Sequence, residues 1–410
     1  MNTVNHDTMQ TTIANIEQIK QLNSAIIYKI IEQYAPISRV KTAKISRLAP
    51  ASVTKITRQL IENGLIAEVE LQASTGGRRA ISLAPNSDAV NVIAIKLGQK
   101  LLSIAHYNLS GIKLMSKQIT IPKIETSAFL IDFLIAEIAK FMTQPPLINE
   151  KISAISITLS GLVDPKKGIV VYTPTYPLDD YSLVNKIEST FNIPTFIGNH
   201  TRCLALAENY FGATKNTQDS VLISVHHGVG SGVIIENKEL LGKSCNIGEI
   251  GHIQTNPAGK RCHCGNIGCL ETEVSDLVIY DKVKEAINAG SDCVLNVNTM
   301  NIDDIYLAAA SGDKLCYAIT QQAANYLGKN IAILVNLLSP EKIVITGKIL
   351  QAGEVLFSTI ADCIKQQTLP NFHDQLIVTS TELKPDLTIA AFALIKQAIY
   401  EGDLLQRIKV

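Results

Sequence analysis

The chain of 410 residues has no apolar run long enough to span a bilayer, and its first twenty residues lack the apolar core and cleavage site of a secretory leader. It also lacks the compact cysteine framework of a small secreted protein, since five of its eight cysteines are scattered. These absences argue against transmembrane and disulfide-scaffold classes and predict a cytoplasmic protein. At this length and 46% hydrophobic, the chain is expected to form two or three globular domains.

Net charge is absent overall, because 37 basic side chains balance 37 acidic ones, but the balance is uneven along the chain. Residues 1–85 carry a net charge of +4, and no acidic residue lies between Glu32 and Glu62. A basic N-terminal segment indicates an anionic partner such as DNA. A solvated helix face is the alternative, and charge alone does not exclude it.

The same segment has a helix-turn-helix pattern. Apolar residues at helical spacing over 26–31 predict a helix that ends near Pro36, and Ser38 is the expected N-cap of a short helix through Ser46. The positions of this short helix expected to face inward are Val40, Ala43 and Ile45. Pro50 suits the start of a third helix, predicted from about 51 to 63 with Gly64 as its stop. The positions that this third helix is expected to bury are Val53, Ile56 and Leu60.

Two strand-like runs, 65–71 and 79–83, follow and are separated by a basic, glycine-rich tip, as in the wing of a winged helix. The residues predicted to contact DNA are Arg39, Pro50, Ala51, Ser52, Thr54, Lys55, Arg58 and Gln59 on the helices, and Arg78 and Arg79 in the wing. The alternative is a three-helix domain that binds protein. The basic residues fall where a duplex would lie, which favours DNA.

Four potential metal ligands lie close together in the sequence between 248 and 271. The run GEIGH is followed by nine residues and then by CHCGNIGCLE, which places His252, Cys262, Cys264 and Cys269 at a spacing that can close around one tetrahedral ion. Three thiolates and one imidazole are a ligand set that zinc prefers in closed structural sites. The alternative is four unrelated residues, which explains neither the spacing nor the intervening glycines.

From about residue 91 the pattern alternates between strands and helices. The strands are predicted at 92–97, 101–109, 118–121, 152–159, 221–225, 232–236 and 342–346, with another ending at 198. The helices are predicted at 127–141, 182–191, 321–338 and 388–399, the last packing back on the first lobe. Two successive units that begin with strand hairpins predict a two-lobed α/β body with a cleft.

Two polar features lie at cleft-like positions of this body. The glycine-rich turn 227–232 could expose backbone N–H groups to an anion, although β-hairpins also use such turns. The phosphate-binding candidates in this turn are Gly228, Gly230, Ser231 and Gly232. The pair Asn199 and His200 stands between a strand and a helix, where a histidine of purely structural role is the alternative.

The GEIGH and CHCGNIGCLE motifs resemble the signature of the repressor–open reading frame–kinase (ROK) family. Runs at 21–24, 34–39, 48–62, 73–82, 161–165 and 204–208 resemble its amino-sugar-responsive repressors over nearly the whole chain. The resemblance implies a winged helix-turn-helix at 1–85 and a two-lobed, actin-like sugar-kinase body (a ribonuclease H-like repeat) with a zinc knuckle. The small lobe is expected at 86–198 plus 386–410, and the large lobe, with the dimer interface, at 199–385.

The resemblance also implies a sugar site and an effector. The residues implied to bind sugar are Gly161, Asn199, His200, Glu249, His252 and Glu271. Carboxylates accept paired hydroxyl bonds, and a zinc-bound imidazole can donate its other N–H; solvated loop carboxylates are the alternative for the two glutamates. The implied effector is N-acetylglucosamine 6-phosphate, which His200 can approach without the repulsion that an aspartate would impose.

The sequence departs from the kinase members of the family at three places. Their Asp-x-Gly-Gly-Thr phosphate loop is replaced by residues 96–100 (KLGQK), their Asn-Asp pair by Asn199-His200, and their Gly-Gly-Gly by residues 346–348 (TGK). With no acid to hold Mg²⁺, phosphoryl transfer is not expected, and no residue is assigned as catalytic. The expected function is a repressor, dimeric or tetrameric, released from operator DNA by the sugar phosphate. A repressor controlled by sequestration to a sugar transporter and a ROK sugar kinase are the alternatives.

Overall fold

A computed structural model describes residues 16–70, 81–145, 147–242, 247–384 and 386–408. The N-terminal domain consists of helices α1 (Ile16–Tyr34), α2 (Arg39–Ser46) and α3 (Pro50–Glu62) and strands β1 (Ile66–Glu70) and β2 (Ile81–Pro85). The two strands pair antiparallel and form the wing. This arrangement of three helices and a hairpin confirms the predicted winged helix-turn-helix fold. The tip of the wing, with Arg78 and Arg79, lies outside the described residues.

Local chemistry sets the helix ends as predicted. The Ser38 hydroxyl accepts the Lys41 N–H at 3.3 Å at the start of α2, and Pro50 begins α3. The backbone of Gly64 is left-handed (φ 66°) just after α3 ends, where a residue without a Cβ is favoured.

The inward face of α2 was predicted correctly at Ala43 and wrongly at Val40 and Ile45. Val40 is 81% exposed and Ile45 is also exposed, whereas Ala43 and Thr42 are buried. Thr42 can be buried because its hydroxyl donates to the Ser38 carbonyl oxygen at 3.0 Å, so no polar group is left unsatisfied. A helix of only two turns offers too few positions for apolar periodicity to identify its buried side.

The first lobe contains a mixed sheet in the order β5-β4-β3-β6-β9. Its strands are β3 (Asn91–Leu97), β4 (Leu101–Asn108), β5 (Lys113–Thr120), β6 (Ile152–Leu159) and β9 (Thr195–Asn199), with a small hairpin of β7 (Leu162–Asp164) and β8 (Ile169–Tyr172). Its helices are α4 (Ser127–Met142) and α5 (Leu183–Phe191). Strand β5 begins five residues before its predicted start, because an edge strand with few buried side chains has little apolar alternation.

The second lobe repeats this plan with the order β12-β11-β10-β13-β14. In chain order, its elements are α6 (His200–Phe211), β10 (Ser220–Val225), β11 (Val229–Ile235), β12 (Lys238–Glu239), α7 (Glu271–Val274), α8 (Asp276–Asn288), α9 (Ile302–Ala310), α10 (Lys314–Leu338), β13 (Lys342–Gly347), α11 (Glu354–Gln367), α12 (Pro370–His373) and β14 (Ile377–Ser380). Each sheet combines an antiparallel hairpin start with two parallel strands, which confirms the two-lobed α/β body. Helix α10 begins seven residues earlier than predicted, where Asp313 caps it.

The chain ends with helices α13 (Ile389–Tyr400) and α14 (Asp403–Arg407), which return to the first lobe as predicted. They also contact α1, which was not predicted. One continuous apolar core contains Ile27 and Ile31 of α1 together with Phe392 and Leu404, so this core crosses the predicted boundary at residue 85. At the turn between α13 and α14, a Cβ on Gly402 would lie 2.6 Å from the Gln21 carbonyl oxygen. The winged helix-turn-helix domain is therefore packed tightly against the body.

Within the described ranges, no helix combines the length and apolar character needed to cross a membrane.

Candidate functional site

The four predicted metal ligands are brought together before α7. His252 ends a 3-10 turn (Ile250–His252), and the three cysteines lie in the loop that follows. Their donor atoms all lie within 4.8 Å of one another. The Cys262 Sγ is 3.6 Å from His252 Nδ1, and the Sγ atoms of Cys264 and Cys269 are 3.7 Å apart. Three soft sulfur donors and one imidazole nitrogen converge on one point, so the residues present fit a metal ion of zinc's preferences.

Backbone geometry explains why this loop needs its glycines. Gly265 and Gly268 have left-handed φ values of 97° and 69°, and a Cβ on Gly268 would lie 1.6 Å from the Asn256 carbonyl oxygen. The Gly268 carbonyl accepts the N–H groups of Thr255 at 2.7 Å and Asn256 at 3.0 Å. The loop is therefore fixed by backbone contacts that a larger residue at 268 would prevent.

The two predicted sugar-binding carboxylates flank this cluster. Glu271 begins α7, and its carboxylate accepts the Val229 N–H at 2.9 Å and lies 3.1 Å from His263 Nδ1. Glu249 precedes the 3-10 turn that ends in His252. Partial desolvation, reinforced by the charge of Glu271, raises the pKa of Glu249, while His252 and Arg202 act in the opposite direction. The metal-ligand loop therefore lies between two carboxylates in the sequence, and the charges of these carboxylates interact.

His263 was not singled out from the sequence. Besides its contact with Glu271, its Nδ1 lies 3.8 Å from the Cys262 Sγ, and its ring meets the His252 ring edge-to-face with centroids 5.2 Å apart. The sequence signal that could have identified His263 is its position between the predicted ligands Cys262 and Cys264. His263 restrains Glu271 from the side opposite to Val229.

The remaining sugar candidates meet at the start of α6. The Asn199 side chain accepts the Arg202 N–H at 3.1 Å and donates to the Gly161 carbonyl oxygen at 2.8 Å, which joins β9, α6 and the segment after β6. Gly161 has φ 127°, and a Cβ there would lie 2.3 Å from the Tyr172 carbonyl oxygen. The structure thus brings Gly161, Asn199 and His200 together.

His200 is held neutral in this environment. Its Nδ1 lies 3.3 Å from the Thr158 hydroxyl. Burial lowers the pKa of His200 well below its usual value, and the positive charges of Lys96 and His226 lower it further. The environment therefore favours the uncharged form of the imidazole, which can donate one hydrogen bond and accept another.

Strand β11 links the two groups of predicted sugar-binding residues. A Cβ on Gly230 would lie 3.4 Å from the Thr201 hydroxyl of α6, and the Ser231 hydroxyl donates to the Gly248 carbonyl oxygen at 2.8 Å. The positive charge of Arg202 on α6 acts on the Glu249 carboxyl group and opposes the rise of its pKa. The start of α6, strand β11 and the metal-ligand loop therefore surround one cleft.

The glycine-rich turn is shorter than predicted, because β11 begins at Val229 and leaves only 226–228 as the turn. Gly230, Ser231 and Gly232 therefore lie in a strand. Gly232 allows β11 to approach α6, since a Cβ there would lie 2.6 Å from the Ala205 Cβ. At Gly228, a Cβ would lie 2.7 Å from the Glu271 carboxylate, which already takes the next N–H. These contacts correct the picture of an open phosphate loop at these four residues.

The predicted DNA-binding face is placed on one side of α3. Val53, Ile56 and Leu60 are buried as predicted. The residues of α3 that reach solvent are Pro50, Ala51, Ser52, Thr54, Lys55 and Arg58, with Gln59 partly exposed.

Arg39 differs from the other predicted DNA contacts. Its guanidinium donates to the Thr57 hydroxyl at 3.0 Å and to the Glu68 carboxylate at 2.7 Å. Arg39 thus joins α2, α3 and β1 inside the domain.

Comparison with known proteins agrees with this architecture. The model of the ROK family matches residues 92–398. The N-acetylglucosamine repressor of Escherichia coli O157:H7 is 43% identical over 399 residues, which cover 97% of this chain and 98% of that protein.

Solved structures show the same likeness. A ROK family transcriptional regulator described as a homolog of the Escherichia coli MLC protein superposes with a TM-score of 0.90 at 42% identity, covering 95% of this chain and 99% of that one. A ROK family glucokinase from Streptomyces griseus shares the fold of the body, with a TM-score of 0.64 at 23% identity over 75% of this chain and 99% of that one. A family model that covers most of the chain, and a relative of 43% identity along nearly its full length, establish that the chain belongs to the ROK family.

Proposed function

We propose that this protein is a cytoplasmic transcriptional repressor of genes for amino-sugar uptake and breakdown, and that N-acetylglucosamine 6-phosphate releases it from operator DNA. The observation that carries the proposal is the 43% identity to an N-acetylglucosamine repressor across both the DNA-binding domain and the body. The polar, basic outer face of α3 supplies the groove-binding surface, and the cleft beside α6 supplies the effector site.

The metal site has a structural role in this proposal. The ion held by His252, Cys262, Cys264 and Cys269 is Zn²⁺, which would fix the loop that carries Glu249 and Glu271. Because His252 turns Nδ1 towards the cysteines, its Nε2 is the nitrogen left for a sugar hydroxyl. Glu271, already fixed by Val229 and His263, would accept a second hydroxyl without reorganising.

The protein is proposed not to be a kinase. At the end of β3, where kinases of the family carry an acid for Mg²⁺, this chain has Lys96, and at the position of the general base it has the neutral His200. A cation in place of a carboxylate repels a divalent metal, so the charge-neutralising ion of phosphoryl transfer has no site there.

Release from DNA follows from a shift between two conformations. An effector that binds the cleft contacts α6, α6 packs on α13, and α13 is joined to α1 of the DNA-binding domain. The effector lowers operator affinity if it binds more tightly to the conformation in which the spacing of the two DNA-binding domains does not match the operator half-sites. A dimer or tetramer is proposed, since operators mirror the two-fold symmetry of such domains.

The effector assignment is tested on the whole chain. A mobility shift assay on an operator-bearing duplex, with a panel of sugar phosphates and free sugars, should show release by N-acetylglucosamine 6-phosphate alone. Retention of the operator in its presence, with release only on adding a membrane transporter fraction, would favour control by sequestration. Sugar-dependent consumption of ATP by the purified protein would favour the kinase.

Substitutions on α3 test the DNA surface. Lys55→Ala should weaken binding to operator and unrelated duplexes alike and reduce the slope of log affinity against log salt by about 0.9, as expected for one lost phosphate contact. Arg58→Ala should cost about 1–3 kcal/mol if it reads a base edge, and mainly on operator DNA. Fluorescence anisotropy titrations at several salt concentrations measure both effects, with Lys186→Ala, an exposed lysine on α5, as the control. Unchanged affinity in both α3 variants would place the DNA surface elsewhere.

A substitution at His200 tests how the phosphate is recognised. His200→Asp should weaken binding of N-acetylglucosamine 6-phosphate more than binding of N-acetylglucosamine, because a buried carboxylate would face a phosphate of the same sign. His200→Asn, which adds no charge, should show a smaller difference. Isothermal titration calorimetry with both ligands measures the two losses of affinity. Equal losses would show that His200 does not contact the phosphate.

A further inference from the structure

Lys96 is a basic residue of the cleft. The sequence indicated only that it stands where kinases of the family carry an acidic residue. It lies on β3 in register with Thr158 of the adjacent parallel strand β6, so both side chains lie on the same face of the sheet. The Thr158 hydroxyl lies 3.3 Å from His200 Nδ1. Lys96 and His200 therefore share one side of the cleft. No ion pair to Lys96 occurs within the described ranges, and burial lowers the pKa of its ammonium group.

His226 brings a third basic group from the other lobe. It follows β10, and its Nδ1 is 3.9 Å from the Asp276 carboxylate, which also accepts the Tyr306 hydroxyl at 2.9 Å. Partial desolvation of the His226 ring, whose side chain is 49% exposed, and the charges of Lys96, His227 and Lys348 together lower its pKa to about 4. Gly230, which pairs with Ser224 two residues before His226, lies against Thr201, the residue after His200. The two histidines of the second lobe therefore lie near the start of α6, and the charge of Lys96 on the first lobe acts on both.

The neighbouring basic residue is already neutralised. Lys348 follows β13, the strand beside β10, and its ammonium group contacts the Asp303 carboxylate. Lys96 has no comparable acid in the part of the chain that the structure describes. The uncompensated positive charge of the cleft is therefore centred on Lys96, and an anion beside it would relieve the repulsion between Lys96 and the two histidines.

We propose that Lys96, His200 and His226 form a phosphate clamp that binds the phosphate monoester of the effector and bridges the two lobes. This assignment rests on the proposed function and names the residues that distinguish a phosphorylated sugar from a free one. Lys96 supplies the positive charge, and the two imidazoles donate hydrogen bonds once the anion is present. The ammonium group takes the place that a metal cation would need for phosphoryl transfer, so the cleft retains a phosphorylated sugar without turning it over.

The test compares Lys96→Gln with Lys100→Gln, an exposed lysine four residues away. Calorimetry with N-acetylglucosamine 6-phosphate should show a roughly 10- to 100-fold loss of affinity for Lys96→Gln, the range for a hydrogen bond to a charged group. Its affinity for N-acetylglucosamine should stay within about threefold, since a free sugar has no phosphate to hold. Lys100→Gln should match the wild type for both ligands, and Lys96→Arg should keep most of the preference for the phosphate.

His226→Gln tests the bridge between the lobes. It should lose roughly 3- to 10-fold for the sugar phosphate and little for the free sugar, as expected for a weaker, uncharged contact. Thermal unfolding of each variant checks that the fold is retained.

The outcomes separate the clamp from the proposed function. A wild type that prefers the sugar phosphate, with the same preference in Lys96→Gln, overturns the clamp and leaves the effector assignment standing. A wild type that binds both ligands equally overturns the effector assignment and the clamp together. Equal losses for both ligands in Lys96→Gln would show a general role in the cleft and also overturn the clamp.

Discussion

A Cys269→Ser chain is expected to lose its bound metal, to unfold at a lower temperature and to stop repressing. Cys269 is fully buried, and its sulfur is one of the four donors that converge in the knuckle. Structural zinc contributes on the order of 10 kcal/mol of binding free energy in small domains. If about a third of that free energy stabilises this much larger lobe, loss of the ion should lower its unfolding midpoint by about 10 °C.

Loss of the metal should abolish binding at the sugar site but leave the DNA-binding surface intact. Without the ion, the loop that positions Glu249, His252 and Glu271 has lost its central restraint, so sugar phosphate binding should disappear as well. Helix α3 is far along the chain from the knuckle, and the apolar core in which it packs contains no residue of the metal-ligand loop, so weak binding to any duplex at low ionic strength should persist.

Three measurements check this result. Elemental analysis should find one zinc per chain in the wild type and none in Cys269→Ser, and calorimetric scanning and a reporter for repression give the other two readouts. Cys293→Ser, which alters a half-buried cysteine outside the knuckle, is the matched control and should keep its zinc. A Cys269→Ser protein that represses normally and responds to sugar phosphate would show that the metal has no structural role.

The predictable parts of this protein are those in which local pattern and burial agree. Strand β6 was predicted at its observed bounds, since every residue from Ile152 to Leu159 is buried and β-branched side chains are frequent in it. The knuckle was predicted because metal ligands repeat at short, fixed spacing. The caps at Ser38 and Gly64 were predicted because each satisfies or permits a backbone geometry within a few residues.

The parts that could not be predicted depend on contacts between distant residues. The glycines of β11 suggested an open turn, whereas Gly232 is required by the close approach of α6, which no local pattern encodes. The role of Lys96 depends on Thr158 and on His226, a residue of the other lobe, so its place in the cleft appears only after both sheets are assembled. The packing of α1 on α13 joins residues more than 350 positions apart and has no sequence signature.

This last contact carries the second large expected effect. Glu32 of α1 accepts hydrogen bonds from Lys396 and Tyr400 of α13. The Lys396 side chain is only 5% exposed and that of Glu32 22% exposed, and the Lys396 ammonium also donates to the Leu109 carbonyl oxygen at 3.3 Å. A buried ion pair of this kind stabilises a fold little more than apolar residues of similar volume would. Removing one partner, however, leaves the other charge buried without a partner.

Glu32→Ala should therefore destabilise the docking of the DNA-binding domain by about 3–5 kcal/mol, the cost of leaving a buried ammonium without its partner. Chemical denaturation followed by circular dichroism measures this loss. Glu62→Ala, an exposed glutamate at the end of α3, should change stability by less than about 0.5 kcal/mol. The double variant Glu32→Leu with Lys396→Met, which removes both charges, should recover most of the loss.

The same variants distinguish a contact that transmits the signal from one that only holds the domain. If α13 passes the state of the cleft to α1, Glu32→Ala should bind sugar phosphate with wild-type affinity and yet release operator DNA less completely when it does, because a loosely docked domain no longer follows the body. The double variant should restore stability while its release remains altered, since an apolar contact lacks the directional hydrogen bonds of the ion pair. If the stability of Glu32→Ala falls while release by sugar phosphate stays at the wild-type level, the pair holds the domain in place and the signal reaches the DNA-binding domain by another route.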